Sequence, residues 1–476
     1  MKGNLKSILL DVGVLISIIK LQIIIWLLLN ISFENTLILL FAYSLLKVLI
    51  IKRIFGCQIL DGFEMNFAEN VTIGCKNIVV SHFLACTILE KLDEDLMRKR
   101  ILNFQENGTR MQRHPVKFLG EYYLSSNKKE KIDDHFIVIE EQIDDLEGLN
   151  KKCDEIRTLK IPKNISPWRV YYVKNYENGK AALIAQFSHL LVDGLGSIYS
   201  FYSCITDNFN GFGQTLKGVS FSKKLLIIAL MLLNVPFILY KLFTIPDQKS
   251  GFKEFGKSGI SHSSTWLIDL NEFKSCSKRY GVTVNDFFTS LLVMGIKDYF
   301  QEFKTEQILE TTLPMRVAFT MRSSEAFKNL KGNDVGTFNI RFPLNYTSKS
   351  QHIKNIAQRF RAAKNSITPL LGYYFPSFLG VLLPYKLVTW VLSHGQGKCN
   401  IMSTSFYGPA NGLTICGKKV LDIFAVGEAY GDLTCYGMCM SYHNRISICV
   451  YGDSGSIENP KRLLQLVQNH YQQLQV

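Results

Sequence analysis

The amino-terminal part of the sequence contains two long apolar stretches. They run from Ile8 to Asn30 and from Thr36 to Ile51, and a short polar break separates them. Each approaches the ~20 apolar residues that a helix needs to cross the hydrocarbon core, so the pattern predicts a membrane hairpin over residues 1–53. Basic residues flank both outer ends, which predicts that both ends face the cytoplasm. A cleaved signal peptide is disfavoured because the apolar region is too long and no small-residue cleavage site follows it.

A third apolar run extends from Leu225 to Phe243. Pro236 and several polar residues interrupt it, so a helix that lies in one leaflet fits as well as one that spans the bilayer. A spanning helix would place the flanking parts of the chain on opposite sides of the membrane. We therefore expect a membrane-associated insertion over residues 216–250, between one globular unit at 54–215 and a second at 251–476.

The globular units combine strand and helix patterns. Continuous apolar character from Ala181 to Phe187 predicts a buried strand, and Arg169 to Val173 is a second strand that pairs with it as a hairpin. Thr283 and Asp286 are spaced as a capping box at the start of a helix. The other predicted elements are that helix from Asn285 to Phe300, strands from Val335 to Phe342 and from Ile446 to Tyr451, and a last helix beginning at Asn459-Pro460. This mixture predicts an α/β (α+β) fold.

Charge and cysteine content narrow the possible functions. The 476 residues carry a formal net charge of +14, which is compatible with nucleic acid, an anionic membrane face or anionic substrates. The basic residues are scattered, without zinc-finger spacing or an RNA-binding signature, which disfavours nucleic acid. The 11 cysteines form no C-x-x-C pair, so a disulfide framework and a metal site are disfavoured and a reduced, cytosol-facing body is expected. Cys435 and Cys439 fit an apolar strand.

A histidine follows the predicted strand from Ala181 to Phe187. Ser188-His189 comes directly after it, and Asp193-Gly194 turns the chain four residues later. With an ordinary pKa near ~6.5, an imidazole accepts and returns a proton near neutral pH, which suits activation of a hydroxyl group. Asp193 can fix the loop by pairing with a cation or with backbone donors, and Gly194 allows a sharp bend or a close approach to substrate. The alternative is a packed histidine beside an ordinary turn, so the motif needs structural context.

A second short motif, Gly452-Asp453-Ser454-Gly455, mimics the nucleophile segment of trypsin-like proteases. Its place between a predicted strand and the last helix favours a solvated turn, since glycine, aspartate and serine are common turn residues. The sequence order supplies no convincing histidine and aspartate partners for a serine nucleophile. Phosphate loops and dinucleotide fingerprints are absent from the sequence, so an NTPase or oxidoreductase has no support.

The segment from Ser188 to Gly194 resembles the H-H-x-x-x-D-G motif of the bacterial and plant wax ester synthase and diacylglycerol acyltransferase family, within the chloramphenicol acetyltransferase-like superfamily. Four further blocks resemble the family in the same order: Thr283-Val284-Asn285-Asp286, Gly332-Asn333 with Gly336 and Pro343-Leu344, Tyr407-Gly408-Pro409, and Ser441-Tyr442-His443-Asn444-Arg445 before Asp453. Ser188 stands where the family has its first histidine. The D-F-G-W-G motif of related plant acyltransferases is absent, which disfavours that branch.

This resemblance implies two chloramphenicol acetyltransferase-like subdomains that form a tunnel. It implies a membrane-associated O-acyltransferase that transfers a fatty acyl group from acyl-CoA to a fatty alcohol or to diacylglycerol. His189 is then the general base and Asp193 structures its loop, while Ser188 and Gly194 support them. The candidates for substrate or oxyanion contacts are Asn285, Asp286, Thr404 and Ser405. Acyl-CoA is the expected co-substrate, and no cofactor or metal is expected.

The implied location is the membrane of the endoplasmic reticulum or the surface of a lipid droplet, with the catalytic body facing the cytosol. The alternative is a catalytically silent lipid-binding or scaffold protein with the same fold, which the serine at position 188 motivates. Retention of His189, Asp193 and Gly194 favours the enzyme, since a silent protein would not need the base.

Overall fold

The computed structural model describes most of the two predicted globular units. The described residues are 82–107, 110–118, 121–126, 130–162, 165–212, 260–303, 311–320, 332–382, 385–396, 399–427 and 433–475, with isolated positions elsewhere. Apart from such isolated positions, the predicted hairpin at 1–53 and the predicted insertion at 216–250 lie outside the described residues. Within the described part of the chain, no helix combines the length and the apolar character that crossing a membrane requires.

The described chain alternates strands and helices. The strands are β1 Gln58–Ile59, β2 His82–Glu90, β3 Arg113–Phe118, β4 Glu121–Ser126, β5 Phe136–Ile143, β6 Trp168–Tyr176, β7 Lys180–Ser188, β8 Ser261–Asp269, β9 Thr312–Thr320, β10 Val335–Pro343, β11 Ile401–Tyr407, β12 Thr414–Ile415, β13 Lys418–Val426, β14 Cys435–Tyr442 and β15 Arg445–Asp453. The helices are α1 Glu94–Asn107, α2 Leu146–Thr158, α3 Gly194–Ile205, α4 Leu270–Arg279, α5 Val284–Phe303, α6 Lys349–Lys364, α7 Thr368–Leu382, α8 Tyr385–Gln396 and α9 Pro460–Gln475. The predicted mixed α/β fold is confirmed.

Two large sheets organise the fold. One six-stranded sheet has the order β12-β13-β2-β7-β6-β5 and is called here the N-terminal sheet, and the other has the order β10-β9-β11-β14-β15-β8 and is called the C-terminal sheet. A small third sheet has the order β1-β4-β3. Both large sheets are mixed, because β5 and β6 pair in parallel, as do β11 and β14, while most other neighbours pair antiparallel.

The second half of the chain contributes a strand to the N-terminal sheet. Lys418–Val426 comes from the second predicted unit, yet it pairs antiparallel with His82–Glu90 in the N-terminal sheet. The next strand, Cys435–Tyr442, returns to the C-terminal sheet beside Ile401–Tyr407. A division of the chain at residue 251 therefore does not describe the sheets, since the second part of the chain completes the first sheet.

Burial explains why these segments form the elements that they do. All but the first residue of Lys180–Ser188 is buried, as its continuous apolar sequence predicted, and the predicted hairpin with Trp168–Tyr176 is confirmed. The predicted capping box is also confirmed: the backbone N–H of Thr283 donates to Oδ2 of Asp286 at 3.2 Å, and the N–H of Asp286 donates to Oγ1 of Thr283 at 3.2 Å. These local bonds fix where Val284–Phe303 begins.

The helix Thr368–Leu382 lies unusually close to the strand Val335–Pro343. A Cβ atom added to Gly372 would stand 1.9 Å from the carbonyl oxygen of Thr337. A Cβ on Gly336 would stand 2.6 Å from the ring of Phe319 and 3.0 Å from Cα of Tyr373. Glycine at both positions therefore allows the helix to rest directly on the strand that carries Thr337.

We expect Gly372→Ala to destabilise the protein by about 1–3 kcal/mol, because the added methyl group would push the helix away from a backbone oxygen that cannot move by itself. Urea unfolding of the purified full chain measures this change. Gly412→Ala is the matched control, since its Cβ would make only an ordinary contact of 3.8 Å with His443. Equal midpoints for the two variants would contradict the close packing.

Candidate active site

The loop that carries His189 is anchored at both ends. Lys180–Ser188 delivers the histidine to the end of the N-terminal sheet, and the three residues after it, from Leu190 to Val192, are fully buried in the core. Asp193 then caps the helix Gly194–Ile205, where its Oδ1 accepts from the backbone N–H of Gly196 at 2.8 Å. A buried strand, a buried tripeptide and a capped helix therefore fix the position of the imidazole.

The imidazole of His189 contacts both halves of the chain. Its Nδ1 lies 3.0 Å from Oδ1 of Asn333, just before Val335–Pro343, and its ring centroid lies 4.6 Å from that of Phe83. Burial lowers the pKa of His189 below its ordinary value, and the hydrogen bond with Asn333 and the charge of Asp193 partly oppose this shift. The imidazole is thereby held in the neutral form that can accept a proton.

The carboxylate of Asp193 is saturated with hydrogen-bond donors. Besides the helix cap, its Oδ2 accepts from the guanidinium of Arg322 and, at 2.7 Å, from the backbone N–H of Asp334. Arg322 also donates to the carbonyl oxygen of Gly332 at 2.8 Å. Asp193 and Arg322 are both buried, so a charge pair out of water ties the histidine loop to the second half of the chain.

Gly194 and Ser188 flank the loop that carries His189. Neither Gly194 nor Gly196 has a positive φ, so the backbone makes no left-handed turn there, and Gly194 is the first residue of the helix. A Cβ on Gly194 would meet nothing within 4 Å. Ser188 is buried, and its Oγ accepts from the backbone N–H of Leu190 at 3.2 Å, which shapes the turn.

An apolar cavity, called here the histidine cavity, opens beside His189. It lies between the two large sheets and is lined by residues of both. Its lining is mainly aliphatic and aromatic, with polar groups contributed by His189, Asp193, Ser197, Thr320, Thr337, Thr404 and Ser405. A few polar groups in an apolar cavity can orient a long hydrocarbon while the histidine meets its reactive end.

A second, larger cavity adjoins the first and is called here the outer cavity. It shares with the histidine cavity the residues from Ala318 to Thr320 together with Ser405 and Phe406. Two lysines, Lys274 and Lys364, contribute to its wall. The shared residues place the two cavities side by side, and the two cavities together are called here the passage.

The four candidate contact residues separate into two groups. Thr404 and Ser405 line the histidine cavity, and Ser405 and Asn285 line the outer cavity, where Oγ of Ser405 donates to Oδ1 of Asn285 at 2.7 Å. Asp286 lines neither cavity, and its carboxylate caps the helix Val284–Phe303 instead. Asn285, Thr404 and Ser405 therefore border the passage, while the contacts of Asp286 are those of a helix cap.

Three charged residues beside the histidine were not predicted from the sequence. Oε1 of Glu64 accepts from Arg110 at 2.5 Å and from the backbone N–H of Asn333 at 3.1 Å, and Arg322 holds Asp193. Asn333 itself belonged to a block that resembles the family, and that block was the only signal for this group of residues.

Two other sequence features lie on or beside strands of the C-terminal sheet. Gly452 and Asp453 end the strand Arg445–Asp453, and Ser454 begins the turn after it; the turn is present as predicted, but Asp453 is buried and not solvated. Cys435 and Cys439 lie on a buried strand, and Cys439 also lines the outer cavity. In the part of the chain that the structure describes, no group of three His, Cys, Asp or Glu side chains has a metal-binding arrangement.

Comparison with known protein families gives a match in the carboxyl-terminal part of the chain. Residues 331–475 match the model of the WS/DGAT C-terminal domain, the C-terminal domain of wax ester synthases and diacylglycerol acyltransferases. The family resemblance is thereby confirmed. None of the curated protein sequences matches the chain. The matched segment includes Asn333 and the cavity-lining residues Thr404 and Ser405, so it contributes to the wall of the passage.

Solved structures share the fold over most of the chain. The wax ester synthase/diacylglycerol acyltransferase from Marinobacter aquaeolei VT8 is 14% identical with a TM-score of 0.58, and the match covers 83% of this chain and 93% of that one. Trichothecene 15-O-acetyltransferase from Fusarium sporotrichioides is 10% identical with a TM-score of 0.60, covering 88% and 95%. The starter condensation domain of rhizomide synthetase, solved with C8-CoA and Leu-SNAC, is 9% identical with a TM-score of 0.56, covering 88% and 94%. The protein thus has the fold of acyltransferases and condensation domains.

Arg322→Met should lower the free energy of unfolding by about 3–5 kcal/mol, because it leaves the Asp193 carboxylate buried without its cation. The matched control is Arg462→Met, which removes the exposed partner of Glu302 and should cost at most about 1 kcal/mol. Urea unfolding of the full chain compares the two. A cost for Arg322→Met no larger than for the control would contradict the role of the buried pair.

Proposed function

We propose that this protein is an acyl-CoA-dependent O-acyltransferase that esterifies the hydroxyl group of a water-insoluble lipid, either a fatty alcohol or diacylglycerol. The observation that carries the proposal is the position of His189, whose pKa is lowered by burial, on the wall of an apolar cavity that adjoins a larger cavity with lysines. The match of residues 331–475 to the WS/DGAT C-terminal domain supports the same reaction class.

The histidine suits direct transfer between two bound substrates. Its imidazole takes the proton from the acceptor hydroxyl while that oxygen attacks the thioester carbonyl carbon. The tetrahedral intermediate then collapses, the carbon–sulfur bond breaks, and the imidazolium returns the proton to the departing thiolate. The products are an ester and free coenzyme A, so protons and electrons balance without an acyl-enzyme.

Polar groups beside the passage are suited to the developing oxyanion. Because Oγ of Ser405 donates to Oδ1 of Asn285, the amide of Asn285 has its Nδ2 as the remaining donor group. Thr404 adds a hydroxyl on the wall of the histidine cavity. We assign these donors to the intermediate, since preorganised donors stabilise charge where it develops.

The two cavities suit the two parts of an acyl-CoA. The outer cavity has the volume for a pantetheine arm, and Lys274 and Lys364 supply positive charge for phosphate groups. The apolar lining of the histidine cavity favours hydrocarbon chains over polar acceptors. A water-insoluble acceptor follows from this lining and from the apolar segments that the sequence predicts to lie in the membrane.

His189→Ala should reduce ester formation by at least about 10²–10⁴-fold, because it removes the proton acceptor. The assay supplies the purified full chain in detergent with labelled palmitoyl coenzyme A and either hexadecanol or diacylglycerol. His262→Ala is the matched control, since the side chain of His262 is 53% exposed on the edge strand Ser261–Asp269 and lines neither cavity. Turnover unchanged in His189→Ala would overturn the proposed base.

The same assay separates the enzyme from a silent lipid-binding protein. Equal binding of labelled acyl-CoA by the native protein and by His189→Ala, with no turnover by either, would favour the silent protein. Ester formation that depends on His189 would exclude it.

We propose further that the body faces the cytosol from a membrane of the endoplasmic reticulum or a lipid droplet, as the basic flanks of the apolar segments favour. Two sequons of the body, at Asn107 and Asn345, have exposed asparagine side chains. A cytosolic body leaves them unmodified, because N-glycosylation takes place in the lumen. A mobility shift of the cell-expressed protein on glycosidase treatment would contradict this orientation, and an introduced lumenal sequon provides the positive control.

A further inference from the structure

The side chain of Asn333 has only one orientation that satisfies its neighbours. Its Nδ2 donates to the backbone carbonyl oxygen of His189 and lies 3.4 Å from Oε1 of Glu64, and both of these atoms only accept hydrogen bonds. Its Oδ1 must therefore be the atom that faces Nδ1 of His189 at 3.0 Å. Because an amide oxygen only accepts, Nδ1 of the neutral imidazole is the donor.

We propose that Asn333 is a positioning residue that fixes the neutral tautomer of His189 with its hydrogen on Nδ1 and its lone pair on Nε2, and that the buried pair of Glu64 and Arg110 holds Asn333 in place. This inference rests on the proposed function, in which His189 accepts a proton. An imidazole with its hydrogen on Nε2 could not accept a proton at that atom, so the tautomer decides whether the base is competent.

The support for Asn333 is a buried charge pair. Oε1 of Glu64 accepts from the backbone N–H of Asn333 at 3.1 Å and from Arg110 at 2.5 Å, and the side chains of Glu64 and Arg110 are 3% and 4% exposed. Arg110 also reaches the carbonyl oxygen of Leu190 at 3.4 Å. Arg110 thus binds the residue after His189, while Glu64 binds the backbone of Asn333.

Gly332 allows this approach. Its φ is +136°, and a Cβ at this position would stand 2.1 Å from Oε1 of Glu64 and 2.7 Å from the guanidinium of Arg110. Only glycine fits there without displacing the charge pair. The glycine and the asparagine of this block are therefore needed together, one for access and the other for the contact with His189.

A neutral amide at position 333 can fix the tautomer of His189 without adding a negative charge beside the imidazole. A carboxylate beside Nδ1 would fix the same tautomer, but its charge would raise the pKa of the histidine. Asn333 fixes the tautomer and leaves the lowering effect of burial dominant. The base consequently stays unprotonated at lower pH than a free histidine does.

The first test reads the tautomer directly and needs no turnover. Full-length protein with ¹⁵N-labelled histidine is studied by NMR in detergent above the pKa of His189, and the signals of His189 are assigned by their loss in His189→Gln. The native protein should show a protonated-type Nδ1 and an unprotonated-type Nε2. Asn333→Leu should shift these signals toward a mixture of tautomers, whereas Asn355→Leu, on the surface of a helix, should not. An unchanged His189 pattern in Asn333→Leu overturns the proposal.

The second test separates positioning from a merely structural role through the pH profile. Asn333→Leu should reduce kcat/KM by about 10–100-fold, as is typical for a residue that orients a catalytic group. Combining Asn333→Asp with Glu64→Gln moves the carboxylate from position 64 to position 333 while keeping the tautomer. This double variant should recover activity at high pH, with its acidic limb shifted to higher pH, because the new charge favours the imidazolium.

The outcomes distinguish this inference from the proposed function. Absence of turnover in the native protein would count against the proposed acyl transfer, whereas the NMR pattern would still decide the tautomer. If Asn333→Leu does not fold, the double variant carries the test, because it keeps an acceptor that faces Nδ1 of His189, although it loses the bond from Nδ2 to the carbonyl oxygen of His189. An acidic limb of the double variant that coincides with that of the native protein would overturn the role of Asn333.

Discussion

The buried carboxylate of Asp193 is the constraint on which the rest of the site depends. It ends the loop of His189, begins the helix Gly194–Ile205 and pairs with Arg322 from the second half of the chain. A single aspartate therefore sets a backbone direction and an interdomain contact. Because removing either partner would leave a charge out of water, the loop and the second half of the chain are held in one arrangement.

Much of the fold follows from local sequence patterns. The strand Lys180–Ser188 is buried over almost its whole length, and the helix Val284–Phe303 begins at a capping box formed within four residues. Such signals depend on neighbours in the chain and can be read without the structure. The position of Lys418–Val426 in the N-terminal sheet cannot be predicted from such a local signal, since an apolar strand has the same pattern in either sheet.

The site shows the same contrast. His189 and Asp193 stand out because a histidine and an Asp-Gly turn follow a buried strand, whereas Glu64 and Arg322 have no periodicity or motif. Glu64 reaches Asn333 across 269 positions of sequence, and Arg322 reaches Asp193 across 129. Contacts of this range are created by the packing of the sheets, so only the assembled structure reveals them. Asp286 shows the opposite case, because the contacts of this motif residue are those of the helix cap that it forms.

The position of Lys418–Val426 in the N-terminal sheet also affects folding during synthesis. His82–Glu90 pairs on one side with Lys180–Ser188 and on the other with Lys418–Val426. During synthesis the first pairing becomes available long before the second, so one apolar edge stays open until nearly nine-tenths of the chain has left the ribosome. The nascent chain must therefore shield this edge from other strands. The residues that complete the first sheet are thus among the last to arrive.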